Sequence, residues 1–215
     1  MPDIIKIDDQ PISATFFGEG RWLTDFITPE AIDIKELHKN LTQGISGLED
    51  RIGAMHHWVA SQIRYTKFVK GRLSIEGKSS VQDDLWNLPS ITARVKVANC
   101  ANKAFLLCSL LRNDMSSSQV HCVLGNLYNG KAGGHAWVQA KLGGIDYIIE
   151  TTRADVSPLV LASNADRYEA VHLFNDETAY AIEGRTVMEP MTACFSTWLS
   201  DYLNWSYIDE QRGRA

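Results

Sequence analysis

Cys100, His135 and Glu150 are the residues of this chain whose types and spacing could do covalent chemistry. A thiol becomes a strong nucleophile once a base takes its proton, and the base works best when a third group holds it in one orientation. Cys100 lies in "VKVANCANKAFLLCSLLR", residues 95–112, where Ala101, Ala104, Phe105, Cys108 and Leu111 recur at helical spacing. That pattern predicts a helix with one apolar face. Cys108 falls within the face and is expected to pack. Cys100 falls in the first turn instead. Backbone N–H groups there have no intrahelical partner, and the positive end of the helix favours an anion such as a thiolate.

The base comes from "AGGHAWVQAKLGGIDYIIETT", residues 132–152, which reads as two strands joined by the two-residue turn Gly143-Gly144. The turn sets the register: Leu142 opposes Ile145, Trp137 opposes Glu150, and His135 opposes Thr152. Opposed residues share a face, so His135, Trp137, Glu150 and Thr152 are expected to point the same way. Glu150 then lies diagonally from His135, at a Cβ separation of roughly 7 Å, within hydrogen-bonding reach of the ring. Asp146 shares the face but sits about 13 Å along the strand from Glu150, too far to orient His135.

"NCANKAFLLCSLLR" followed by "GGHAWVQAKLGGIDYIIETT" resembles the core of the transglutaminase-like superfamily. Its members carry a cysteine at a helix start, a His-Ala-Trp-Val strand, and an aspartate followed by threonine on the next strand. The upstream "DDLWNLP" resembles the Trp-Pro segment of bacterial members. The likeness covers roughly residues 50–152. It implies a papain-like, transglutaminase-like cysteine proteinase fold of α+β class, with Cys100 as nucleophile, His135 as general base and acid, and Glu150 as orienting carboxylate. It also implies attack on an amide, peptide or isopeptide carbonyl through a thioester, by hydrolysis or acyl transfer, on a protein or peptide substrate and without cofactor. Gln82 and Trp86, upstream of the helix, are candidate oxyanion donors beside the Cys100 N–H, and Trp137 is a candidate cleft wall. Two departures stand out: Glu150 replaces the usual aspartate, and Asn99 stands where aspartate is common. The rival reading is a catalytically silent domain of this fold that binds a protein partner.

The remaining sequence must position those three side chains. "TPEAIDIKELHKNLTQG", residues 28–44, predicts a helix capped by Thr28, with Pro29 in first position and Gly44 as its stop. "SGLEDRIGAMHHWVASQIRY", residues 46–65, predicts a second, with a stripe of Leu48, Ile52, Met55, Val59 and Ile63. His56 and His57 on it read as surface or boundary residues. Residues 66–96 read as a long irregular connection. After the cysteine helix the period shortens to two, with strands at "SQVHCVLGNLY", "HAWVQAKL" and "IDYIIETT". "SSS" at 116–118 reads as a turn, and "YNGKAGG" before His135 as either a mobile loop or a plain turn. A further strand is predicted at "EAVHLFN" and a helix near "ACFSTWLSDYLNWS", with Trp198, Tyr202, Trp205 and Tyr207 on one face. The expectation is one domain over residues 1–215, its core at about 46–155, with a helical layer on an antiparallel sheet.

Composition is that of a globular chain: 215 residues, 45% hydrophobic, 22% charged, net charge -5. The acidic balance and absence of a basic cluster argue against a nucleic-acid partner. No apolar run is long enough to span a membrane, the start lacks a secretion signal, and the scattered Cys100, Cys108, Cys122 and Cys194 suggest a cytoplasmic protein. Their spacing with His121 and His135 matches no metal motif, and adjacent His121 and Cys122 must face opposite ways on a strand.

Overall fold

The cysteine helix is buried on every side, not along one face. In the computed structural model, which describes residues 4–6, 12–16, 19–67, 69–75, 78–82, 85–129, 131–188, 194–195 and 206–208, it runs Cys100–Leu111, and every residue after Cys100 is buried. We label it α4; before it come α1 (Ile32–Thr42), α2 (Leu48–Gln62) and α3 (Pro89–Val95). The polar residues of α4 each satisfy a neighbouring element, as buried polar groups must. Asn102 Oδ1 accepts from the Asn87 N–H at 2.7 Å, and Lys103 Nζ donates to the Ala60 carbonyl at 3.1 Å. Ser109 Oγ accepts from the Thr28 N–H at 2.9 Å and donates to the Phe105 carbonyl at 2.8 Å.

A seven-stranded antiparallel sheet carries the histidine. Its strands are β1 (Ile4–Lys6), β2 (Val120–Asn129), β3 (Lys131–Leu142), β4 (Ile145–Ile149), β5 (Val160–Leu161), β6 (Tyr168–Phe174) and β7 (Ala179–Ile182), in the order β1-β7-β6-β2-β3-β4-β5. Alternation along β3 divides two cores. Ala136, Val138 and Ala140 join the main core with Ala104, Phe105 and Leu107 of α4, while Trp137 joins a smaller cluster with Val123, Ile148 and Ala165. Cys122 is buried in the main core and its neighbour His121 lies edge-on to Tyr180, the opposite-facing arrangement expected of them. The Gly143-Gly144 turn has positive φ at both positions, +56° and +84°, which glycine adopts without a Cβ clash. The register runs as predicted from Leu142↔Ile145 to Val138↔Ile149.

Several expectations are corrected. Thr28 and Pro29 form a turn, and α1 begins at Ile32 with Ala31 at its N-cap; the Thr28 N–H is taken by Ser109 of α4. The described part of residues 66–96 is largely regular: it holds a hairpin (Lys70–Ile75 with Lys78–Gln82), a short strand at Leu85–Trp86, and α3. Ile75 and Val81 are the β-branched residues of that hairpin, and its strands pair through Gly71, Ser74, Ser79 and Ser80 as well. In "YNGKAGG" the described residues 128–129 and 131–134 are strand and not a mobile loop; Gly130 lies outside the described residues. β2 and β3 pair out to Asn129↔Lys131. Cys194–Phe195 and Ser206–Ile208, the described ends of the predicted C-terminal helix, are strands; Trp198, Tyr202 and Trp205 lie outside the described residues. Among the described residues no helix is long and apolar enough to cross a membrane.

Candidate active site

Cys100 is the first residue of α4, and the chain reaches it under tight control. Lys96 closes α3 in the left-handed region at φ 56°, Val97–Ala98 pairs in parallel with Arg64–Tyr65, and Asn99 caps α4 by accepting the Asn102 N–H at 3.0 Å. Asparagine is as good an N-cap as aspartate, so the neutral residue keeps the helix start without adding a carboxylate beside the sulfur. Cys100 is partly exposed, whereas Cys108 and Cys122 are fully buried, and burial pushes both of their thiols well above the ordinary range.

His135 lies opposite Gly125 on β2, between Cys100 and Glu150, the two groups that act on its ring. Its Nε2 meets Glu150 Oε2 at 2.8 Å, and the Cys100 side chain is its other electrostatic partner. Nε2 being used by the carboxylate, Nδ1 is the nitrogen left for the sulfur. Burial alone would lower the pKa of the ring, but the bonds to Cys100 and Glu150 outweigh it and push the value up to about 10. Glu150 shows the converse. Burial would raise its pKa, yet the hydrogen bonds from His135 and Thr152 hold it down to about 2.

Glu150 reaches the ring by a different route from the one the hairpin predicts. The ladder ends at Val138↔Ile149, so the pairs Trp137–Glu150 and His135–Thr152 do not form. The chain bends after Ile149, and Thr152 folds back to donate its N–H and Oγ1 to Glu150 Oε1 at 2.9 and 2.7 Å. Tyr168 of β6 donates its hydroxyl to Oε2 at 2.9 Å. Asp146 stays on the strand and pairs with Lys141 at 3.7 Å, away from the ring.

Trp137 is buried and stacks on His135, with ring centroids 6.1 Å apart and planes 26° from parallel. Its indole lies against Gly125, where an added Cβ would come within 2.5 Å of the Trp137 ring. Trp86 sits in the core among Phe26 and Phe105, at 5.5 and 5.2 Å. Gln82 ends the second strand of the hairpin, opposite Gly71.

Sequence reasoning missed the residues behind the carboxylate. His56, read as a surface or boundary residue, is buried, and its Nε2 donates to the Glu150 carbonyl at 2.8 Å. Burial, though opposed by that bond, leaves its pKa below the usual histidine value. Its burial is legible afterwards: His56 directly follows Met55, one turn from Ile52 and Val59, so it borders the apolar stripe. Lys103 is fully buried one turn past Cys100, and desolvation, only partly offset by Glu150, brings its pKa down to about 8. Tyr168 had no local signal at all.

No protein-family model matches the chain, and no curated protein matches it. Among solved structures it is similar to Legionella pneumophila LapG, a transglutaminase-like cysteine protease. With the EGTA-treated form the TM-score is 0.53 at 16% identity, over 77% of this chain and 86% of that one. With a second LapG structure it is 0.51 at 15% identity, over 74% and 84%. At such identities the likeness is one of fold.

Proposed function

We propose, from the premise that this chain has the papain-like α+β fold of the transglutaminase-like superfamily, that it is a thiol-dependent hydrolase of amide or peptide bonds. The single observation that supports this reading most is the placement of His135, which interacts with Cys100 while its Nε2 meets Glu150 Oε2 at 2.8 Å.

In this reading Cys100 passes its proton to His135, and the thiolate attacks the substrate carbonyl carbon. A C–S bond forms while the carbonyl π pair moves onto oxygen. The backbone N–H of Cys100, which has no intrahelical acceptor, faces the developing oxyanion; the sequence suggests Gln82 or Trp86, in the segment preceding the helix, as the second donor. One well-placed donor is worth about 2.7–4 kcal/mol in such sites. The tetrahedral intermediate collapses, the C–N bond breaks, and His135 gives its proton to the departing nitrogen. Water, deprotonated by His135, then attacks the thioester; the C–S bond breaks and the acid is released. An amine in place of that water would make the enzyme an acyl transferase. Glu150 stays ionised throughout and stabilises the imidazolium.

Iodoacetamide near neutral pH, with adducts mapped by mass spectrometry, tests the nucleophile without a known substrate. Cys100 is expected to alkylate ahead of Cys108, Cys122 and Cys194, and His135→Ala to slow it. Labelling of all four only after unfolding would instead make the chain a silent scaffold that binds a partner.

A further inference from the structure

Tyr168 enters the site from β6, which is separated from the histidine strand by β2. Its hydroxyl donates to Glu150 Oε2 at 2.9 Å, the same oxygen that meets His135 Nε2 at 2.8 Å. Its ring stands edge-on to Trp137, at 5.1 Å and 74°, and tilted against His135, at 6.2 Å and 48°. The backbone beneath it is tied down: the Tyr168 N–H donates to the Ala165 carbonyl, and the Tyr128 N–H to the Arg167 carbonyl, both at 2.9 Å.

We propose that Tyr168 is a positioning residue: acting through Glu150, it fixes the orientation of His135 and so sets how readily His135 takes the proton of Cys100. The proposal rests on the reading of Cys100 as nucleophile given above.

Its physical basis is the length of glutamate. Compared with aspartate, Glu150 has one more rotatable bond, and holding such a side chain in one rotamer costs conformational entropy. A carboxylate gripped by a single partner would swing. Here donors fix both oxygens: Thr152 takes Oε1, and Tyr168 shares Oε2 with His135. The carboxylate plane is thereby set, and with it the line from Oε2 to the imidazole. Burial and the adjoining carboxylate raise the pKa of the phenol above its ordinary value, so it remains a donor. The other titratable groups around Glu150 are His135 on β3, His56 on α2, Lys103 on α4 and the neighbouring Arg153. Of these, only His135 bonds Oε2.

The experiment measures the rate of Cys100 alkylation by iodoacetamide against pH in the full chain, for the wild type, Tyr168→Phe, Glu150→Gln and the double variant. It is paired with the proton resonance of His135 Nε2–H. Tyr168→Phe is expected to slow alkylation at neutral pH about tenfold, as for loss of one hydrogen bond to a charged group. It should also displace the Nε2–H resonance and move the histidine limb of the profile to lower pH, because a carboxylate free to swing stabilises the imidazolium less well. In the Glu150→Gln background it should change nothing further, since the route runs through the carboxylate. A ring-fluorinated tyrosine at position 168, a stronger donor of the same shape, should move the limb the other way, and gives the answer even if the phenylalanine variant folds poorly. Unchanged rate, limb and resonance in both variants, or a Tyr168→Phe loss that adds in full to Glu150→Gln, overturns the positioning role while leaving the nucleophile standing. A wild-type Cys100 that reacts like any exposed thiol and ignores His135→Ala overturns the nucleophile, and Tyr168 with it.

Discussion

His56 and Glu150 meet through the backbone: the imidazole Nε2 donates to the Glu150 carbonyl at 2.8 Å, while the carboxylate of the same residue holds His135. The bend after Ile149 that aims the carboxylate is thus pinned from behind by α2. His56→Leu would leave that buried carbonyl without its partner, at a cost of about 1–3 kcal/mol. Urea unfolding checks this. A variant as stable as the wild type, with unchanged Cys100 reactivity, would show that the bend holds itself.

Glu150→Gln and Asp146→Asn separate the two carboxylates of the hairpin. Glu150 bonds His135 directly, whereas Asp146 is half exposed and pairs only loosely with Lys141 at 3.7 Å. Glu150→Gln is expected to lower the rate by about 10²- to 10⁴-fold, the scale seen when an orienting carboxylate becomes an amide. Asp146→Asn should stay within about twofold, as exposed pairs contribute little. The alkylation rate of Cys100 reads both, and reversed effects would mean that Asp146 holds the ring.

Much of this was legible in the chain because the informative features are local. The Gly143-Gly144 turn fixes the register of β3 and β4, and Asn99 marks the start of α4. Hairpin geometry therefore selected Glu150 over Asp146 before any coordinates. What the sequence hid is non-local. Tyr168 reaches Glu150 from another part of the sheet, and no periodicity encodes which strands become neighbours. His56 and Lys103 carry polar side chains into the interior, where their partners are backbone carbonyls distant in sequence. The bend after Ile149 escaped for a related reason: Thr152 looks like the continuation of a strand until its hydroxyl is seen folding back on Glu150.

Stability should depend on pH through the His135–Glu150 pair. The Glu150 carboxyl is held at about 2 against an ordinary 4.5, so its contribution is present above pH 4.5 and lost as pH falls toward 2. His135 is raised to about 10 from 6.5 by Cys100 and Glu150 together, so its contribution is full below pH 6.5 and lost as pH rises toward 10. The pair therefore stabilises most between pH 4.5 and 6.5, by an amount on the order of 3 kcal/mol counted once for both partners. Denaturant melts of wild type and Glu150→Gln should differ most in that window and converge on either side. A difference that stays constant from pH 3 to 9 would remove the ion pair as its cause.

Gly125 gives the most severe steric prediction. An alanine Cβ there would lie 2.2 Å from the Glu169 carbonyl oxygen and 2.5 Å from the Trp137 ring, both closer than real Cβ contacts. One neighbour is backbone of the adjacent strand and the other a buried indole, so neither can swing aside cheaply. Gly125→Ala is expected to cost about 1–3 kcal/mol, the range for an overpacked core. The damage should also be functional, because the displaced Trp137 stacks on His135 at 6.1 Å and a tilted indole carries the imidazole with it. Thermal melting reads the first effect and the pH profile of Cys100 alkylation the second. An alanine variant that melts lower but keeps the wild-type profile would mean that His135 is held by its hydrogen bonds alone, with no help from the indole.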